Sequence, residues 1–357
     1  MEQTERQLVS LLSEITPLYD VPMREAKARQ DALAKPPGSL GLLEDLSVQL
    51  AGITGQVKNE VSHTRIYVLA ADNGVVCEGV SSAPQSVTRA QAINLTRGLT
   101  GASCLAKHFG DELVVADMGI ALPYACPEIL NRSLGKGTAN IAAGPAMARQ
   151  TAVRGILTGM GLAAQAKRDG IQILGVGEMG IGNTTTSSAV ASVLLGRPVA
   201  EMTGRGAGLS DAGLHRKIDA IQRGIAHNHP DAADPLGVLA ALGGFDIAGL
   251  CGVFLGGALE RLPIVMDGFI SGVAALCAVR LCPAAEKAVF ASHVSSEPAA
   301  HIVLDALCKK PLITAELHLG EGTGAVASLP LWDMALAVYN GCYSFAEGGI
   351  TPYTPQC

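Results

Sequence analysis

Aromatic residues make up only 4% of the chain and charged residues 16%, with a single tryptophan. A core with so few rings has to be filled by aliphatic and small side chains. The sequence supplies them: 48% of its residues are hydrophobic, and 42 of its 357 residues are glycine, against a usual share of about 7%. Small side chains and close backbone contacts are typical of a compact α/β enzyme. The formal net charge of −6 comes with no basic stripe, which argues against nucleic acid as the main partner. Small anions remain open, because loop amides and a few local cations can hold a phosphate. Nine dispersed cysteines (77, 104, 126, 251, 277, 282, 308, 342 and 357) form no C-x-x-C pair, which speaks against a zinc cluster or a disulfide framework and for a reducing cytosol. The most apolar stretch, 247–259, is too short to span a bilayer, and Met1–Arg6 is too polar for a secretory h-region, so the expectation is a soluble cytoplasmic protein with no membrane partner. There is no G-x-S-x-G elbow and no Walker A loop, which excludes two large enzyme classes.

What is present is a set of short apolar runs that end on acids. Ile66–Ala71 runs into Asp72, Leu113–Ala116 into Asp117, Ile171–Leu174 into Gly175-Val176-Gly177-Glu178, and Pro263–Met266 into Asp267. Such runs, bounded by turn residues, predict strands buried on both faces, as in parallel sheets. Ligands bind outside the carboxyl ends of such strands, so the four acids are expected to collect on one rim.

Residues 2–34 have a helical pattern, ended by Lys35-Pro36-Pro37-Gly38, and 40–50 is helical again. From about Arg65 to about Ser292, strand-like runs alternate with helical stretches at 90–109, 146–168, 184–195 and 212–226. This alternation predicts βαβ units in a Rossmann-like, mostly parallel sheet with helices on both faces. Residues 294–357 look mostly helical around a loop at 319–324, and helical segments from both termini are expected to pack together as a small second domain.

Gly175-x-Gly177-x-x-Gly180, with Glu201 about twenty residues on, matches the dinucleotide fingerprint in form. Glu178 opposes that reading, because it sets a negative charge where a pyrophosphate would approach. The alternative is a longer glycine loop that presents Glu178 and offers later amides with Thr184 or Thr185. Asn183 or Thr184 could equally be a simple N-cap. Glu321 stands between Gly320 and Gly322, a setting that aims a carboxylate rigidly but that a plain turn also uses. A glutamate in apolar surroundings is raised toward neutrality, which suits a general base. Lys217 could face a phosphate or be a solvated helix residue. His227-x-His229 lacks further metal ligands, and Ser292-His293 with Ser295 follows a strand-like run.

Lys35-Pro36-Pro37-Gly38-Ser39-Leu40-Gly41, Ala71-Asp72-Asn73-Gly74-Val75, Gly175–Gly180, Asn183-Thr184-Thr185 and Leu319-Gly320-Glu321-Gly322-Thr323-Gly324 occur in this order. The ordered set resembles the nicotinate-nucleotide:dimethylbenzimidazole phosphoribosyltransferase family, which makes the lower-ligand nucleotide of cobamides. The resemblance covers essentially the whole chain. It implies a large α/β domain at 28–305 and a small helical domain from 1–27 and 306–357. Family members are usually homodimers, and a related pair forms heterodimers that activate phenols.

The resemblance also implies a reaction. A nitrogen of an aromatic base attacks C1′ of nicotinate mononucleotide with inversion, nicotinate leaves, and an α-linked nucleotide forms; no metal or other cofactor is required. It implies Glu321 as the base and Glu178 as the acid beside C1′. Nucleotide binding falls to Gly177, Gly180, Asn183, Thr184, Gly204, Gly206, Lys217, Ser295, Gly320 and Gly322, with Asp267 on the ribose. Ala83, Gln91 and Leu319 fall in the base pocket. Asn73 stands where the family often has histidine, and Ala83 where it often has serine. Loss of a hydroxyl changes discrimination, so dimethylbenzimidazole, benzimidazole, adenine and phenols all stay open as acceptors. Two other readings remain at this stage: a nucleotide-binding partner subunit without activity of its own, and an NAD-dependent dehydrogenase built on the glycine fingerprint.

Overall fold

The computed structural model describes residues 2–352; Met1 and residues 353–357, including Cys357 and the end of the expected small domain, lie outside the described residues. Six strands form one sheet: β1 Thr64–Ala71, β2 Glu112–Gly119, β3 Leu130–Asn131, β4 Ile173–Met179, β5 Ile264–Met266 and β6 Val289–Ala291. Every pairing is parallel, in the order β3-β2-β1-β4-β5-β6. The chain builds outward from β1 to β3 and then restarts on the other side of β1 with β4. That reversal leaves a crevice beyond the carboxyl ends of β1 and β4.

Successive side chains of β1 point to opposite faces, as strand geometry requires. Tyr67, Leu69 and Ala71 join a core with the helices Arg149–Arg168, Phe245–Leu259 and Phe269–Leu281. Ile66, Val68 and Ala70 join a second core with the helices Leu42–Thr54, Gly101–Phe109 and Thr323–Gly341. The glycine wealth has a use here. Helices Arg149–Arg168 and Phe245–Leu259 cross so closely that a Cβ on Gly159 would overlap the carbonyl of Gly249, and one on Gly252 that of Ile156.

The helical pattern expected over 2–34 is two helices, Gln3–Ser13 and Asp20–Ala32, and that over 90–109 is Ser86–Thr96 and Gly101–Phe109. The breaks fall at Pro17 and at Gly98-Leu99-Thr100, where Thr100 starts the second helix with a capping box. The termini meet: Leu33 bridges Ser344, and Arg29 donates to the carbonyl of Tyr339 at 2.9 Å. Helix Thr323–Gly341 also covers the sheet, with Ala325, Val326, Leu329 and Trp332 in the second core. Among the described residues no helix is long and apolar enough to cross a membrane.

Candidate active site

A cavity of about 320 Å³ lies beyond the ends of β4 and β5. Its floor is Glu178–Thr184 and Asp267–Ser271, and its walls are Val80–Ala83 with Val87 and Gln91, Arg205–Ala207, His293 with Ser295 and Glu297, and His318–Glu321. Two of the four strand-end acids, Glu178 and Asp267, therefore share the site. The other two hold loops instead: Asp72 accepts the Ala121 amide at 2.8 Å, and Asp117 accepts the Ile120 amide at 2.7 Å and the Tyr124 hydroxyl at 2.8 Å.

Glu321 sits at φ +63°, between Gly320 at +82° and Gly322 at +87°. A non-glycine residue in that region costs about 1–3 kcal/mol and persists only where its surroundings hold it. The holder is Asp267, whose carboxylate accepts the amides of Gly322 at 3.1 Å and Gly324 at 2.7 Å. Gly177 supports the loop from beneath, since a Cβ there would overlap the backbone of Glu321 and Gly322. Gln91 donates to Glu321 Oε1 at 3.2 Å, while Oε2 is buried with no hydrogen-bond partner. Asp267→Ala strips two buried amides of a charged acceptor and should lower stability by about 3 kcal/mol, read by urea unfolding, with activity lost as the loop relaxes.

Glu178, one residue before the end of β4, is 8% exposed. Burial, then the neighbouring charge of Asp246, pushes its carboxyl up to about 8. The Asn183 amide bridges the two acids, donating to Glu178 Oε2 and, at 3.0 Å, to Asp246 Oδ2. Burial raises Asp246 to about 6. Glu178 and Glu321 are neighbours across the floor: Glu178 Oε1 lies 2.7 Å from the position a Cβ on Gly320 would take. Among the described residues no lysine or arginine pairs with Glu178, Asp246, Asp267 or Glu321.

A cationic cradle lies next to these acids, around Thr184. Gly182 caps the helix Asn183–Leu195 at φ +96°, so neither Asn183 nor Thr184 is the N-cap and both side chains are free for other partners. Lys217 is fully buried and donates to Thr184 Oγ1 at 2.9 Å and to the Gly204 carbonyl at 3.0 Å. Burial pulls its ammonium down to about 8. Gly206, at φ +53°, packs against this pair: a Cβ there would lie 3.1 Å from Thr184 Oγ1 and 3.7 Å from Lys217 Nζ.

Of the residues expected in the site, Glu178, Gly180, Asn183, Thr184, Gly206, Asp267, Ser295, Gly320, Glu321, Ala83, Gln91 and Leu319 line the cavity. Gly177, Gly204, Lys217 and Gly322 lie behind its walls: the glycines allow close packing, and Lys217 stands directly behind Thr184, to whose hydroxyl it donates. The fingerprint glycines Gly175 and Gly177 are within strand β4 rather than in a loop, so no dinucleotide turn forms there. His229 ends a helix in the left-handed conformation at φ +44°, which accounts for it as a cap. Sequence reading missed Asp246, Glu297 and Phe269–Ser271. The signal for the last was available, since they directly follow the acid at the end of β5.

A phosphoribosyltransferase family model matches residues 15–350. A nicotinate-nucleotide–dimethylbenzimidazole phosphoribosyltransferase of Acetivibrio thermocellus is 46% identical over 349 residues, covering 98% of this chain and 99% of that protein. The chain belongs to this phosphoribosyltransferase family. The enzyme of the same name from Ruminiclostridium cellulolyticum is 47% identical over 333 residues, covering 93% and 95% of the two chains. The crystal structure of CobT from Thermus thermophilus superposes with a TM-score of 0.89 at 39% identity, covering 93% of this chain and 100% of that one. The α/β fold and the whole-length match thus agree, and the fingerprint for a dehydrogenase is accounted for by strand packing.

Proposed function

We propose that this protein transfers the phosphoribosyl group of nicotinate mononucleotide to an aromatic base, forming an α-linked nucleotide for the lower ligand of a cobamide and releasing nicotinate. The observation that carries the reading is the arrangement at Glu321. One oxygen is fixed by Gln91, the other is buried and unpartnered, and the whole residue is clamped in a strained conformation at the cavity wall. That free oxygen suits a proton acceptor for an azole N–H. As the base nitrogen bonds to C1′, the C1′–N bond of the nicotinate breaks with its electron pair moving to the pyridine nitrogen. The azole proton passes to Glu321. No acid is needed at the leaving group, which departs neutral at nitrogen.

Glu178 is the group for the positive charge that develops at C1′. Its neutral form suits the site before substrate arrives, and the cationic pyridinium of the substrate favours ionisation. Asp246 and Asn183 position it, and Asp267 serves mainly as the clamp of the Glu321 loop. The phosphate falls to Gly206, Thr184 and Lys217, with Ser295 nearby. The base lies against Ala83, Val87, Gln91 and Leu319. A homodimer working in the cytosol completes the reading, checked by light scattering of the purified chain.

Chromatographic detection of nicotinate from nicotinate mononucleotide, with dimethylbenzimidazole, benzimidazole, adenine and p-cresol in turn, tests the reaction and the acceptor together. Release that depends on one added base supports the reading, and silence with every base refutes it. Lys217→Met should raise KM for nicotinate mononucleotide about 10- to 100-fold, the worth of one charge-assisted hydrogen bond. In the unsubstituted enzyme KM should also climb as pH rises past about 8, where the buried ammonium loses its proton and its charge.

A further inference from the structure

We propose that Glu297 is a built-in competitor for the phosphate cradle: before substrate binds, its carboxylate occupies the Gly206 amide beside Lys217, and the substrate phosphate must displace it. This rests on assigning the phosphate to that cradle.

Glu297 Oε1 accepts the Gly206 amide at 3.0 Å. The other oxygen, Oε2, is buried without a donor, whereas most buried polar atoms in proteins have one. This is half of an anion's bonding, held at a position that could give more. The matching deficit is on Lys217. Its ammonium is fully buried and hydrogen-bonded only to neutral oxygens; the charge of Glu297 acts on it, but among the described residues no carboxylate forms an ion pair with it. Its third donor is left over. The nearby Arg205 also lines the cavity, with its guanidinium bonded to Asp211 and to the Leu209 carbonyl. Glu297 is also held close by the chain around it. Its own amide bonds Ser295 Oγ at 3.3 Å, and Gly204 has no side chain because one would overlap the Glu297 carboxylate.

A carboxylate has one charge and two acceptor oxygens, whereas a phosphate monoester has more of both. The ester can satisfy the Gly206 amide, Thr184 and the spare Lys217 donor together, and so displaces Glu297 when the rest of the nucleotide anchors it. Free inorganic phosphate has no such anchor and has to compete unaided. Glu297 therefore selects phosphate carried on a nucleotide over phosphate in solution.

The test is calorimetric titration of the full chain with inorganic phosphate, backed by its Ki against nicotinate mononucleotide. Glu297→Gln keeps an acceptor for Gly206 but removes the competing charge. It should tighten inorganic phosphate about tenfold, as expected if the carboxylate holds the cradle about nine-tenths of the time. Glu297→Asp, too short to reach the amide, should tighten it as well. Loss of structure would only weaken binding, so the gain separates competition from damage. Unchanged or weaker phosphate binding in both variants overturns the proposal while leaving the cradle assignment standing. Adding Lys217→Met to Glu297→Gln should abolish the gain. If the double variant still binds phosphate as tightly as Glu297→Gln, the phosphate sits elsewhere, and the cradle assignment and the proposal fall together.

Discussion

Glu321→Gln is expected to cut base-dependent nicotinate release by about 10²- to 10⁴-fold, the usual worth of a positioned general base. The substitution is nearly isosteric. Gln91 can still donate to the oxygen of the new amide, and the Asp267 clamp on Gly322 and Gly324 does not touch the altered group. What disappears is a carboxylate able to take the proton from the azole. KM for nicotinate mononucleotide should move little, because the proposed phosphate cradle at Gly206 and Thr184 does not include Glu321. A fall in kcat alone supports the role, and wild-type turnover in this variant would remove Glu321 from it.

Glu178→Gln should have two effects of opposite sign. Burial and the charge of Asp246 raise the Glu178 carboxyl from its ordinary 4.5 to about 8. The folded protein therefore keeps a proton that the unfolded chain releases. The stability linked to this group is complete below pH 4.5 and is lost as pH rises through about 8. A glutamine carries no charge to bury, so the variant should unfold at a higher temperature than the parent at pH 9 and differ little at pH 4. Its turnover should nevertheless fall by about 10²- to 10³-fold, since the negative charge proposed to act at C1′ is gone. Such trade-offs are common where an active site stores an unfavourable group. Thermal unfolding at the two pH values, with kcat measured alongside, checks both. A variant that is less stable at pH 9 and fully active would contradict the assignment on each count.

The local pattern of the chain determined a good deal. Uninterrupted apolar runs bounded by turn residues suit strands buried on both faces, as in a parallel sheet covered by helices, and β1, β2, β4 and β5 lie where those runs lie. A glutamate between glycines marked the loop that carries Glu321, because Gly320 and Gly322 themselves take positive φ, which glycine adopts without a Cβ clash. Charge separated the acids from the apolar background, and strand polarity placed Glu178 and Asp267 on one rim.

Other assignments depended on residues far apart in sequence. Gly177 reads as part of a ligand loop, yet its missing side chain makes room for Glu321 and Gly322, more than 140 positions away. Asp246 opens an otherwise apolar helix and looks like an ordinary first-turn acid, until Asn183 ties it to Glu178. Glu297 looks like a surface charge, until its carboxylate is seen on the Gly206 amide. Asp72 and Asp117 carry the same local signal as Glu178 and Asp267 but serve to brace loops. Sequence by itself determined where β1, β2, β4 and β5 form and which acids end them, because both follow from spacing along the chain. Only the tertiary structure decided which of those acids face the cavity, since that depends on which distant amides and carboxylates meet when the sheet closes.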